Sequence, residues 1–264
     1  MLTHYKNQSC GELIELLKGD EITFSVLFAI LRRRCTDIFT DHENVIICYS
    51  NSPFPVWVWC KDTENADIVR DIAECITEYF PDIPIILSEK LRNGLYKYGN
   101  FDRYETTVDM LSYKLDRLLP HSHNCDGKVM HADISQLDYL AQVWHDMSLE
   151  MEGYDHSHEY CVGHVGELIM NKSLFLWIND ENRLVSLASR IDFGQYSRVS
   201  MVYTMPEHRR KGYASNLVGF LCERILADGL TPSLYTDGHY NASNECYRKI
   251  GFVQTGHLCT IKKI

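Results

Sequence analysis

The chain has 264 residues, 45% of them apolar and 23% charged, with a formal net charge of −10. That composition suits one large folded domain or two of ordinary size and excludes a disordered chain. The acidic balance argues against a nucleic-acid partner, and no apolar run approaches the ~20 residues that cross a bilayer.

Residues 1–10 lack the basic region and apolar core of a signal peptide, so cytoplasmic residence without a membrane partner is expected. The 10 cysteines show no repeated C-x-x-C, which favours reduced, partly buried thiols. In chain order, residues 9–35 repeat leucine, isoleucine and valine at helical spacing. Asn44 to Cys48 and Val56 to Cys60 read as a hairpin around Asn51-Ser52-Pro53. Thr63 to Phe80 reads as a helix stopped by Pro81, followed by strands at Ile83 to Leu87 and Glu105 to Tyr113. The polar, turn-rich segment 119–127 predicts a linker, with His121, His123 and Cys125 facing solvent.

Beyond it, Val129 to Ile134 predicts a strand and Ser135 an N-cap for a helix that carries Leu140, Trp144 and Met147 on one face. A second helix is expected over Glu159 to Met170. Strands follow at Phe175 to Ile178, Leu184 to Ile191 and Ser197 to Thr204. The last elements are a strand at Ser233 to Thr236, a helix at Ser243 to Ile250 ended by Gly251, and a strand at Phe252 to Lys262.

The stretch Ser200 to Ser215 carries the strongest functional signal. A β-branched strand stops at Pro206, which cannot donate to a sheet ladder, and a helix begins near Ala214. Between them lies Arg209-Arg210-Lys211-Gly212-Tyr213-Ala214. Orphan N–H groups and the dipole of a helix start attract an anion, Gly212 permits close backbone approach, and the cations add attraction. A phosphorylated ligand is therefore expected. Neither G-x-x-x-x-G-K-[ST] nor G-x-G-x-x-G occurs.

Arg209-x-x-Gly212-x-Ala214, together with Ala242-Ser-Asn-Glu-Cys-Tyr-Arg-Lys-Ile-Gly-Phe252, resembles two motifs of the GNAT acetyltransferase superfamily, in the family's order. The resemblance implies an α/β fold: a mixed, mostly antiparallel twisted sheet flanked by helices. Ser50 to Val56 and Tyr113 to Leu118 resemble the two-lobed members. That implies a smaller, degenerate GNAT-like lobe at 1–118, a linker at 119–127 and a catalytic domain at 128–264.

The resemblance further implies acetyl-CoA as co-substrate. Its pyrophosphate would lie on residues 209 to 214, with Ser215 beside them, and its pantetheine arm along Val202, Tyr203 and Thr204. Tyr247 matches the family's general acid, and a phenol with pKa ~10 stays protonated at neutral pH. Asn244 either contacts CoA or caps the preceding turn. Glu150 is the first choice for general base, with Glu152 as its neighbour. His156, His158, Cys161 and His164 are competent zinc ligands, but their spacing matches no recurrent zinc pattern, so no metal is expected and the segment reads as an acceptor-lining loop.

The implied activity is direct acetyl transfer to the amine of a small molecule or amino acid, in a chain that could form a homodimer. Two other functions fit the same motifs: an N-acyltransferase using a longer acyl-CoA, and a non-catalytic acyl-CoA sensor or partner-binding protein.

Overall fold

The computed structural model describes all residues except 7–8, 33–36, 121–124 and 154, and the side chain of Glu152. The expectations for His121, His123 and the Glu152 side chain therefore lie outside the described residues.

Along the chain the elements are β1 (Thr3–His4), α1 (Gly11–Leu16), α2 (Ser25–Arg32), β2 (Asp37–Thr40), β3 (Val45–Tyr49), β4 (Val56–Cys60), α3 (Ala66–Tyr79), β5 (Ile85–Ser88), α4 (Glu89–Tyr98) and β6 (Tyr104–Lys114). There follow β7 (Lys128–His131), a 3₁₀ turn (Ile134–Gln136), α5 (Leu137–Glu152), α6 (His158–Met170), β8 (Leu174–Ile178), β9 (Leu184–Phe193) and β10 (Tyr196–Thr204). The chain ends with a 3₁₀ turn (Pro206–His208), α7 (Tyr213–Ala227), β11 (Thr231–Asp237), α8 (Asn241–Ile250) and β12 (Val253–Lys263).

These elements form two compact units that interleave along the sequence. The first takes residues 1–114, 235–244 and 254–264; the second takes 115–234 and 245–253.

In the first unit the strand order is β1-β2-β3-β4-β5-β12-β6. β3 and β4 pair antiparallel, as the hairpin reading requires, and β4 runs parallel to β5. All five residues of β4 are buried, which is the continuous apolar run of a strand covered on both faces. α3 starts at Asn65, whose side chain accepts from the N–H groups of Asp67 and Ile68. Its Val69, Ile72, Ala73 and Ile76 pack with Val58, Ile85 and Ile261 in the core. β2 and α4 were not anticipated. β2 is only four residues long, and α4 has a glycine at Gly94 within ten residues, so neither carries a strong periodic signal.

The second unit orders its strands β11-β10-β9-β8-β7. β10 is parallel to β11 and antiparallel to β9, while β8 pairs antiparallel with both β9 and β7. The result is the mixed, mostly antiparallel sheet with flanking helices expected from the sequence. α5 and α6 bury Leu140, Trp144, Met147, Cys161 and Val165 against Leu176, Leu187 and Tyr203 of the sheet.

The entry to α5 departs from expectation: its N-cap, Gln136, has no side-chain cap bond, and the capping belongs to the 3₁₀ turn before it. Asp133, not Ser135, forms the cap: its carboxylate accepts from Ser135 N–H at 2.9 Å, and its own N–H donates to Gln136 Oε1 at 3.0 Å. This reciprocal box satisfies two orphan donors at once, which a lone serine hydroxyl cannot do.

Candidate functional site

The site is assembled on β10 and the loop that leads into α7, all within the second unit. β10 matches β11 only through Tyr196, Ser197 and Arg198, and its register with β9 shifts between Ser200 and Tyr203. Met201, at φ 53°, marks this bulge, and neither Met201 nor Val202 has a register partner on β9. A bulge re-aims a strand and leaves backbone groups outside the ladder. Val202 to Thr204 are therefore strand residues on a segment whose pairing with β11 has already ended.

The side chains of this strand point into specific contacts. Tyr203 is buried, and its hydroxyl donates to Glu150 Oε2 at 2.9 Å. The Thr204 hydroxyl meets Ser186 Oγ at 3.1 Å, and its carbonyl accepts from Arg209 Nε at 3.0 Å.

After Thr204 the chain turns through Pro206 to His208 and enters the basic loop. Arg210 (φ 62°) and Gly212 (φ 89°) are both left-handed. Left-handed residues in a turn are an ingredient of backbone N–H concavities that bind anions. Gly212 is the N-cap of α7, and no side chain caps that end. The first α-helical bond runs from Asn216 N–H to Gly212 C=O at 3.0 Å, so the N–H groups of Tyr213, Ala214 and Ser215 precede it. Arg210 and Lys211 are exposed beside these donors.

Arg209 behaves differently from its neighbours. Its guanidinium places Nη1 2.7 Å from Glu150 Oε1 and Nη2 2.8 Å from Oε2, and lies 5.4 Å from the centroid of the Tyr203 ring. The Arg209 fork, more than any other contact, holds the Glu150 carboxyl below the usual carboxylate range. Lowered basicity and two occupied oxygens favour an anchoring role for Glu150.

The segment before β7 also belongs to the site. Cys125 does not simply face solvent: its Sγ donates to Lys211 C=O at 2.9 Å. Next to it, the Asp126 carboxylate accepts from the Tyr213 hydroxyl and from Asp180 N–H at 3.1 Å. Sequence reading passed over Asp126 because an Asp-Gly pair in a polar stretch signals only a turn.

On α8, Tyr247 is 7% exposed and packs edge-on to Phe252 at 6.0 Å. Burial pushes its phenol well above the ordinary range, so it stays protonated. No hydrogen bond to its hydroxyl occurs among the described residues. Its neighbour Cys246 pairs with Ser215 in the first turn of α7, so the Ser215 side chain is engaged there. Asn244 belongs to the first unit and is 1% exposed. Its amide donates to the carbonyls of Asp237 (2.9 Å) and Tyr240 (3.2 Å) and accepts from the Tyr113 hydroxyl (3.4 Å). Of the two roles expected for it, these contacts are those of a turn cap.

Around α5 and α6, Trp144 is ringed by His164 at 4.9 Å, His156 at 5.1 Å and Tyr160 at 5.8 Å. Among the described residues no three His, Cys, Asp or Glu side chains converge as a metal site needs. No helix among them is long and apolar enough to cross a membrane.

With this geometry in view, the FR47-like protein family model matches residues 176–260, from β8 to β12. No curated protein matches the sequence. Among solved structures, the chain is similar to an acetyltransferase of the GNAT family from Colwellia psychrerythraea, with 15% identity, all of both chains covered and a TM-score of 0.62. It is similar to a GCN5-related N-acetyltransferase from Sphaerobacter thermophilus, with 10% identity, 99% and 95% of the two chains covered and a TM-score of 0.74. A GCN5-related N-acetyltransferase from Kribbella flavida gives 12% identity, 93% and 95% coverage and a TM-score of 0.63. The chain thus shares the fold of these GNAT acetyltransferases, and its segment 176–260 is similar to the FR47-like family.

Proposed function

We propose that the protein is an acetyl-CoA-dependent N-acetyltransferase that transfers the acetyl group directly to the amine of a small molecule or amino acid. The observation that carries this reading is the uncapped, glycine-led start of α7 directly after a strand whose pairing has ended. A CoA ester needs both features: N–H groups for its pyrophosphate, and strand backbone for the amides of its pantetheine arm. The N–H groups of residues 213 to 215, with Arg210, Lys211 and Gly212, would hold the pyrophosphate. Val202, Tyr203 and Thr204 would hold the arm through their backbone.

In the transfer step the neutral amine nitrogen attacks the thioester carbonyl carbon. The C–N bond forms and the C–S bond breaks, the departing thiolate takes the proton of the Tyr247 hydroxyl, and the phenolate left behind regains a proton from solvent. The amine's own proton leaves to solvent or a nearby base. Burial keeps Tyr247 protonated, so its hydroxyl carries the proton this step needs, although burial also makes it a weaker acid. Burial also holds the His164 imidazole below its ordinary 6.5, which keeps it unprotonated at neutral pH while weakening it as a base. Glu150 is proposed as the anchor of Arg209, with the base role expected from sequence left to direct test. A two-lobed organisation, with the N-terminal half as a degenerate GNAT-like lobe, belongs to the same proposal.

The test is an acetyl-CoA consumption screen over free amino acids, polyamines, aminoglycosides and lysine peptides. Turnover with one class supports the proposal and names the acceptor. CoA binding without turnover across the whole panel sinks it in favour of a sensor.

A further inference from the structure

We infer that Asp126, with Cys125 beside it, is a positioning bracket that holds the basic loop and the first residue of α7 in their anion-binding shape. The inference rests on the acyl-CoA reading of that loop. Four hydrogen bonds tie this two-residue segment to four different parts of the second unit. The Tyr213 hydroxyl, on the first residue of α7, donates to Asp126 Oδ1. Asp180 N–H, in the turn between β8 and β9, donates to Asp126 Oδ2 at 3.1 Å. Trp177 Nε1, on β8, donates to the Asp126 carbonyl at 2.8 Å. Cys125 Sγ donates to the carbonyl of Lys211, inside the basic loop, at 2.9 Å.

The bracket is itself anchored. Gly127 follows at φ 94°, and a Cβ there would meet Ile178 C=O at 2.1 Å and Asn179 Cα at 2.6 Å. The chain is therefore pressed against the β8 end so closely that only glycine fits. From that fixed point, Asp126 and Cys125 grip the loop on both sides of Gly212, at Tyr213 and Lys211. Gly212 alone is the most flexible residue type, and Arg210 sits in a left-handed conformation that costs a non-glycine side chain free energy. A loop of this kind keeps one shape only when contacts on either side over-determine it.

Asp126 has a charge of the wrong sign for an anion site, and that makes the inference sharp. If the carboxylate acted only through its field, removing it would tighten the hold on a pyrophosphate, because like charges repel. If it acts by position, removing it loosens the loop and weakens the same binding. The two accounts predict opposite signs.

The experiment is calorimetric titration of the full-length protein with CoA, in the wild type, Asp126→Ala, Asp126→Asn, Tyr213→Phe and Cys125→Ser, with thermal melts confirming that each is folded. Asp126→Ala and Tyr213→Phe should each weaken CoA binding by about tenfold, as loss of a charge-assisted hydrogen bond would. Asp126→Asn should fall between them and wild type, since its amide oxygen can still accept from Tyr213. Cys125→Ser keeps a donor to Lys211 and should weaken CoA binding less than Asp126→Ala does. Steady-state kinetics should show the loss in KM for acetyl-CoA, with kcat little changed. Wild-type binding with equal or tighter binding by folded Asp126→Ala overturns the bracket and leaves the acyl-CoA reading standing. Absence of CoA binding by the wild type overturns the acyl-CoA reading, and the bracket's role with it.

Discussion

Arg209 grips Glu150 with both arms of its guanidinium, at 2.7 and 2.8 Å, while its Nε donates to the carbonyl of Thr204 at 3.0 Å. The arginine that opens the R-x-x-G-x-A motif is thus turned toward α5 and β10, and the exposed cations of the loop are Arg210 and Lys211. The pair is part-exposed, 37% for Arg209 and 44% for Glu150, so it is screened and its main effect is geometric. Because the Glu150 pKa is lowered, what stability the pair adds is present above the ordinary 4.5 and is lost as pH falls through the lowered value.

Glu150→Gln separates anchor from base. As an anchor, its loss should raise KM for acetyl-CoA and lower kcat by less than about tenfold, whereas removing a general base costs about 10²–10⁴-fold in kcat. Steady-state kinetics across pH decides this. A collapse of kcat together with loss of the acidic limb of the pH profile would return the base role to Glu150.

Tyr247→Phe should lower kcat by about 10²-fold and leave CoA affinity nearly unchanged. The ring remains packed on Phe252, so stability should change by no more than about 0.5 kcal/mol. Parallel measurements of turnover, CoA titration and melting provide the check, and unchanged turnover removes Tyr247 as the acid.

His164 should make the fold acid-sensitive. Burial lowers its pKa, with His156 adding to the effect and Glu167 opposing it. The unfolded chain then binds a proton more readily than the native one. Stability should therefore fall as pH drops from about 6.5 through the lowered native pKa, and level off below it. Melting curves of wild type and His164→Gln between pH 7.5 and 5, at roughly half-unit steps around that pKa, test the point. The variant should show a shallower acid limb; parallel curves would mean His164 is not the sensor.

Gly127→Ala should be among the most damaging single changes in the second unit. Its Cβ would collide with backbone at Ile178 and Asn179, and its φ of 94° disfavours any L side chain. A loss of about 3 kcal/mol or more is expected by urea unfolding. A wild-type midpoint would show that the 125–127 segment is not pressed against β8 as described.

Much of the fold was legible in the chain because its signals are local. Ile72 and Ile76 on α3, the all-apolar β4 and the Pro206 stop each depend on a few neighbouring residues, and each stands where periodicity and backbone chemistry place it. β2 and α4 were missed because a four-residue strand and a glycine-bearing polar helix lack such a pattern; pairing and packing stabilise them instead. Serine is a good cap residue, so the sequence points to Ser135, but Asp133 wins by joining Gln136 in a reciprocal pair.

The sequence by itself determined the basic, glycine-containing helix entry at 209–215, since glycine, cations and a helix start are all read along one stretch of backbone. Only the tertiary structure decided how those residues are used. Residues 150 and 209 are far apart in sequence, as are 126 and 213, and nothing local announces their pairing. Long-range contacts arise when helices and strands pack, and they turned Arg209 toward Glu150, engaged Asn244 in its own turn, and set Asp126 against the first residue of α7.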